Sequence, residues 1–189
     1  MSTDLTPPDE LASAEATLRV LQQVTTTITA DDLAKQTPCS EFDVAALTDH
    51  LLNSITQLGK AAGATIPERD SGGPLESQIT AAARPALDAW HRRGLDGTVP
   101  FGQGEVPATL MAGILSLEFL VHAWDYASAT GGQVTAPDEV VDYVMGIAKR
   151  TISPDARSQV GFAEAVSAPA QASALDQLVA FTGRVPERS

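Results

Sequence analysis

Cysteine, basic residues and aromatic residues are all scarce in this sequence of 189 residues. Cys39 is the single cysteine, which excludes an internal disulfide framework and fits a reducing cytoplasm. Lysine and arginine number 12 against 24 acidic residues, and nucleic acid or an anionic membrane would repel the resulting charge of −12. Aromatic residues make up only 5% of the chain, which favours closely packed helices over a sheet.

The sequence also lacks the hydrophobic segments that direct a protein to or across a membrane. Residues 1–15 contain neither a basic region nor an apolar stretch, so no secretory signal is predicted and a cytoplasmic location is expected. The apolar run at 110–127 approaches membrane-spanning length, but Glu118, His122 and Asp125 interrupt its second half. It is better interpreted as a buried central helix.

The length predicts one domain over residues 1–189, with a core at about 7–150 and a C-terminal appendage at about 151–189. Hydrophobic periodicity predicts five helices in the core. Helix one follows Thr6 as its N-cap and contains apolar residues to Ile28, and helix two runs from Asp43 to about Ala62 with Ser40 in a capping box. Helix three is expected from Leu75 to Arg93, with Pro85 as a kink or as its true start.

Turn residues separate the later predicted elements. A helical turn is expected around Asp32 to Lys35, and a loop with a small hairpin as one option at 94–106. Helix four begins near Pro107 and ends at Gly131, and helix five starts after Thr135 and ends at Ser153-Pro154. A short extended piece at 161–166 and a final helix capped by Ser173 complete the chain.

Helix four carries a polar stripe on an apolar background. Glu118 and His122 are one turn apart and face the same direction, and His50 lies at the margin of the apolar face of helix two. Two ligands at i and i+4 with a third from a neighbouring helix form an open metal site. A buried carboxylate–imidazolium pair is an equally good interpretation of Glu118 and His122 from spacing alone.

The remaining polar residues are weaker candidates. Asp125 can accept the second ring N–H of His122 as an outer-shell partner, although a simple salt bridge or a solvent-facing role is equally compatible with its position. His91 is expected at a solvated helix end, and Cys39 is expected to be inert because acidic residues follow it. Trp124 and Tyr126 are expected in the core or lining a pocket.

Three segments together resemble a known family: TPCSEFDVAALTDHLL at 37–52, LEFLVHAWDYASATG at 117–131 and the tail at 162–184. The chain resembles the DinB/YfiT-like metalloenzymes, in the branch related to the N-terminal domain of mycothiol-dependent maleylpyruvate isomerase, which includes actinobacterial metal-binding proteins. The resemblance implies an all-α antiparallel four-helix bundle, here with an additional helix and a short C-terminal appendage. It also implies a divalent metal, most often zinc or nickel, held by His50, Glu118 and His122.

Relatives of this kind use a low-molecular-weight thiol, mycothiol or bacillithiol, in isomerisation or transfer of sulfur. The resemblance therefore implies a metal-dependent transferase or isomerase that takes such a thiol and an electrophilic substrate. The alternative is a non-catalytic bundle that binds a metal or a small ligand. Neither the substrate nor the catalytic residues follow from the sequence, and the oligomeric state stays open, with a homodimer as one option.

Overall fold

The computed structural model describes residues 5–153, 157, 162–169 and 171–186. Over these residues the protein is mostly helical, with one small two-stranded sheet. The α-helices are α1 (Glu10–Thr25), α2 (Val44–Ala61), α3 (Leu75–Arg93), α4 (Ala108–Thr130), α5 (Asp138–Thr151) and α6 (Ala174–Phe181). A short 3-10 helix spans Ala30–Asp32, and the antiparallel strands β1 (Thr98–Phe101) and β2 (Gly104–Pro107) form a hairpin between α3 and α4.

Aspartate residues cap the first two helices, and both predicted caps were wrong. The Asp9 side chain accepts a hydrogen bond from the Ala12 amide, so α1 begins after the two prolines and not at Thr6. The Asp43 side chain does the same for Ala46 in α2, in place of Ser40. A carboxylate accepts a hydrogen bond from a free backbone amide and also complements the positive end of the helix dipole. Both effects favour aspartate as the cap over a hydroxyl residue farther from the helix.

Several boundaries agree with the sequence-based prediction. Helix α3 has the predicted limits and passes through Pro85, which is therefore not its start. Helix α4 follows Pro107 and ends at Gly131, whose φ of 75° is in the left-handed region that glycine tolerates. The Ser173 side chain accepts a hydrogen bond from the Asp176 amide and caps α6 as expected.

Other local predictions need correction. The turn expected around Asp32 to Lys35 is a 3-10 helix that begins earlier, at Ala30. Residues 162–166 form no strand, and Gly161 lies outside the described residues, as does Pro154 beyond the end of α5. The hairpin that was one option for the loop at 94–106 is present, so the described chain is not purely α-helical.

Helix α4 lies at the centre of the core. Most of its residues are buried, and it packs most extensively against α1 and also against α2 and α5. Small residues permit this close packing: a Cβ on Gly113 would lie 3.2 Å from Ile147 of α5 and 3.3 Å from Glu10 of α1. The position of α4 in the core therefore places Glu118, His122 and Asp125 inside the protein, with α2 beside them. Among the helices in the described part of the chain, none combines the length and hydrophobicity needed to cross a membrane.

Candidate metal centre

The structure brings together the three side chains that the sequence singled out as metal ligands. The Nε2 atom of His122 lies 3.5 Å from Oε2 of Glu118, one helical turn away on α4. Helix α2 places Nε2 of His50 3.6 Å from the same oxygen. One ligand atom from each of the three residues lies within 4.8 Å of the others. That these residues bind a metal stays a prediction.

The spacing of these atoms is too wide for hydrogen bonds and suits a shared cation. Oε2 of Glu118 is buried and has no hydrogen-bond partner among the described residues. Ligand atoms roughly 2.1 Å from a tetrahedrally coordinated metal are roughly 3.4 Å apart, close to the separations around this oxygen. Two imidazoles and one carboxylate are also ligands that divalent transition metals accept. The residues present therefore fit a divalent metal.

Asp125 fixes the orientation of the His122 ring. Its Oδ2 atom lies 2.9 Å from Nδ1 of His122, and both residues are buried. When Nδ1–H donates to this carboxylate, the neutral ring carries its lone pair on Nε2, which is the nitrogen directed at Glu118. Asp125 makes both the hydrogen bond to His122 and a salt bridge, and its complete burial rules out a solvent-facing role. Its role as an outer-shell partner of a metal stays a prediction.

The partner of Asp125 on its other side is Arg184, which the sequence did not identify. Nε and Nη2 of Arg184 donate to the two oxygens of the carboxylate at 3.1 and 2.8 Å. The available signal was indirect: a buried aspartate needs a cation, and the chain has few basic residues. Periodicity could not show which one, because the partners are 59 residues apart.

The pKa values of the two histidines shift in opposite directions, because burial and the neighbouring charges compete differently at each ring. Burial alone lowers the pKa of His122, but the Asp125 and Glu118 carboxylates outweigh it and raise the pKa to about 9. For His50, burial has the larger effect and lowers the pKa despite the nearby Glu118. Burial would raise the pKa of Glu118, yet the neighbouring imidazoles outweigh it and keep this pKa below its usual value. Without a metal, the three candidate ligands at neutral pH are therefore an imidazolium on His122, a carboxylate on Glu118 and a neutral imidazole on His50.

The site is reached from the side of His50. The His50 side chain is 38% exposed, compared with 12% for Glu118 and 7% for His122. Phe42, just before the start of α2, stacks on the His50 ring with centroids 5.2 Å apart and planes 27° apart. This contact was not anticipated, because Phe42 precedes the helix and belongs to no periodic pattern. Phe42 restricts the ring while leaving part of it open to solvent.

The other sequence candidates lie outside this cluster. His91 is exposed at the end of α3 and pairs with Glu15 at 2.7 Å, as expected for a solvated helix end. Tyr126 is fully buried and shares a hydrogen bond of 2.9 Å with Thr48 across α2 and α4, which agrees with a core role. Cys39 is half-buried and lines a cavity of about 500 Å³ beside Arg184.

The protein is a mostly helical protein with a partly buried His–Glu–His cluster that could hold a metal ion. Comparison with known proteins shows the family to which it belongs. The chain is 32% identical over 160 residues to "Uncharacterized protein Rv0738" of Mycobacterium tuberculosis (strain ATCC 25618 / H37Rv) and equally to "Uncharacterized protein MT0763" of the CDC 1551 / Oshkosh strain. These alignments cover 83% of this chain and 87% of each relative. The chain therefore belongs to the family of these mycobacterial proteins. No protein-family model and no solved structure matches it.

Proposed function

We propose that this protein binds a divalent metal through His50, Glu118 and His122. The observation that carries the proposal is Oε2 of Glu118, a buried oxygen without a hydrogen bond, with two imidazole nitrogens at 3.5 and 3.6 Å. An unpartnered buried carboxylate oxygen is costly, and a cation between the three atoms would satisfy it. The His₂Glu ligand set suits zinc or nickel, among other divalent ions.

We further propose that the helices form the antiparallel four-helix bundle of the DinB/YfiT-like metalloenzymes. Contacts along α2 and α4 support this arrangement: Thr48 contacts Tyr126, whereas the later His50 contacts the earlier Glu118. The same reversal relates α1 to α3, in the contacts Gln22–Thr80 and Glu15–His91.

The proposed activity is that of a metal-dependent transferase or isomerase that uses a low-molecular-weight thiol such as mycothiol and an electrophilic substrate. When bound, the metal supplies Lewis acidity that favours the thiolate at neutral pH. Asp125 holds the proton on Nδ1 of His122, and the partly exposed His50 leaves one side of the site open to a small molecule. The apolar residues of α4 exclude water from the opposite side. The lone cysteine supports a cytoplasmic location for this chemistry.

Metal content is the decisive measurement for the ligand assignment. Purified protein should bind close to one equivalent of zinc or nickel by elemental analysis after dialysis, and Glu118→Gln should lose it while keeping its fold by circular dichroism. His91→Ala is the matched control, since it removes an exposed histidine outside the cluster. If the parent protein takes up no divalent metal, or if Glu118→Gln binds as much as the parent, the proposed site is wrong.

A separate assay decides between catalysis and simple binding. Metal-loaded protein is incubated with mycothiol or bacillithiol and a panel of electrophiles, and loss of thiol is followed. Thiol consumption that depends on Glu118 supports the enzyme. Stoichiometric metal without thiol consumption over the whole panel would favour the non-catalytic metal-binding bundle instead.

A further inference from the structure

The C-terminal segment, defined here as residues 162–169 and 171–186, contacts Asp125 beside the candidate metal ligands through the side chain of Arg184. The Arg184 side chain is only 9% exposed, and Asp125, which it meets on α4, is completely buried. The two groups form a two-pronged ion pair in which Nε and Nη2 each meet one carboxylate oxygen. Such a fork fixes the plane of the carboxylate as well as neutralising its charge.

Arg184 is itself held in place from its own side. Its Nη1 atom donates to the carbonyl of Thr182 at 3.2 Å, and its backbone amide donates to the carbonyl of Val179 in α6 at 2.9 Å. The guanidinium also lies 5.8 Å from the centre of the Phe162 ring. The end of α6 thus presents the guanidinium to Asp125 in one orientation.

The same carboxylate oxygen serves both neighbours. Oδ2 of Asp125 accepts from Nη2 of Arg184 at 2.8 Å and lies 2.9 Å from Nδ1 of His122. If the guanidinium is removed, the carboxylate can rotate about its last bond, and the imidazole that depends on it can rotate too. A side chain whose orientation is not fixed loses more conformational entropy when it binds a metal, and this loss weakens the binding.

We propose that Arg184 is a positioning residue of the metal centre, which acts through Asp125 to hold the His122 ring with Nε2 directed at Glu118 and His50. The C-terminal segment thereby sets the metal affinity of a site built entirely on α2 and α4. The expected effect on metal affinity rests on the proposed function. The effect on the orientation of the His122 ring does not, because that orientation is a property of the metal-free protein.

The test measures zinc affinity by competition with a chromogenic chelator. Arg184→Gln should weaken zinc binding about 10–100-fold, the range typical of outer-shell partners. Arg184→Lys keeps the charge but lacks the fork, so an intermediate loss is expected. Because Arg184 acts through Asp125, Arg184→Gln should cause no further loss in an Asp125→Asn background, and the double variant leaves neither charge buried alone.

Arg157→Gln is the matched control for loosening of the C-terminal segment. Arg157 is buried and donates to the carbonyls of Ala163 and Phe181, so it anchors the same segment without contacting Asp125. Zinc affinity should be unchanged in this variant. An equal loss in Arg157→Gln and Arg184→Gln, or additive losses with Asp125→Asn, would overturn the positioning role.

Nitrogen NMR of the histidine rings in the metal-free protein separates this inference from the metal proposal. The parent should show an Nδ1–H on His122 that is protected from exchange with water, and Arg184→Gln should expose it to faster exchange. If the parent binds no zinc, the proposed function fails together with the effect on affinity, whereas the NMR result still tests the orientation. Unchanged exchange in Arg184→Gln, or zinc affinity equal to that of the parent, contradicts the positioning role alone.

Discussion

His122 stands between two polar clusters that differ in how completely they are satisfied. The closed cluster, Asp125 and Arg184, lies on its Nδ1 side and is joined by hydrogen bonds of 2.8 to 3.1 Å. The open cluster, His50 and Glu118, lies on its Nε2 side with gaps of 3.5 and 3.6 Å around one oxygen. Buried polar groups are normally hydrogen-bonded. The protein alone satisfies the closed cluster, whereas in the open cluster Oε2 of Glu118 has no hydrogen-bond partner among the described residues.

Truncation of the closed cluster should have the largest effect on stability. Asp125→Ala leaves the buried guanidinium of Arg184 without its partner, and breaking such a pair costs about 3–5 kcal/mol. Urea denaturation of the metal-free protein measures this loss. Glu118→Gln should cost less in the same experiment, because Oε2 has no hydrogen bond to lose and its ion pair with His122, at 3.5 Å, is looser than the pair of His122 with Asp125, which stays intact. Equal losses from the two variants would mean that the open cluster is structural too.

Metal should stabilise the protein only through the three proposed ligands, His50, Glu118 and His122. Zinc at 100 times its dissociation constant should raise the free energy of unfolding by about 2.7 kcal/mol, provided that it does not bind the unfolded chain. A chelator should remove this increment, and His50→Ala should lack it. His91→Ala should retain it in full. If zinc stabilised His50→Ala as much as the parent, it would be binding somewhere else.

The stability of the metal-free protein should depend on pH through His122. Its pKa is raised to about 9, whereas the unfolded histidine titrates near 6.5, so the folded state holds a proton that the unfolded state has lost between these values. The free energy of unfolding should therefore be complete below pH 6.5 and fall between about pH 6.5 and 9, by at most about 1.4 kcal/mol per pH unit.

The zinc-saturated protein provides the contrast for this pH effect. Binding through Nε2 removes the imidazolium proton, so His122 should contribute no fall in stability over the same interval. Urea midpoints measured at several pH values with and without zinc give the two slopes. Parallel slopes would show that zinc does not displace a proton from His122.

Local sequence signals were sufficient for most of the helices and for the common face of Glu118 and His122, whereas the approach of His50 to them was a hypothesis supported by the family resemblance. Helical periodicity located α3 and α4, and the spacing of Glu118 and His122 placed them on one face. The margin position of His50 on α2 is also confirmed by its partial exposure. These features depend on residues within one or two turns of each other, which a single sequence displays directly.

The features that the sequence did not reveal depend on distant or competing partners. Arg184 meets Asp125 across 59 residues from a segment with weak periodicity, so nothing local connects them. Asp9 and Asp43 replaced the predicted caps because several residues near each helix start can cap it, and only the backbone path decides. The single-domain organisation stays a prediction.

The smallest expected effect concerns Phe42, which orders the exposed member of the open cluster. Aromatic pairs contribute about 0.5–1.5 kcal/mol, so Phe42→Leu should weaken zinc binding about two- to tenfold by freeing the His50 ring. Phe42→Tyr keeps the stacked ring and should bind as the parent does, while the resistance of both variants to urea without zinc should change little relative to Asp125→Ala. If Phe42→Leu binds zinc as tightly as Phe42→Tyr, the stacking of Phe42 on His50 does not contribute to zinc binding.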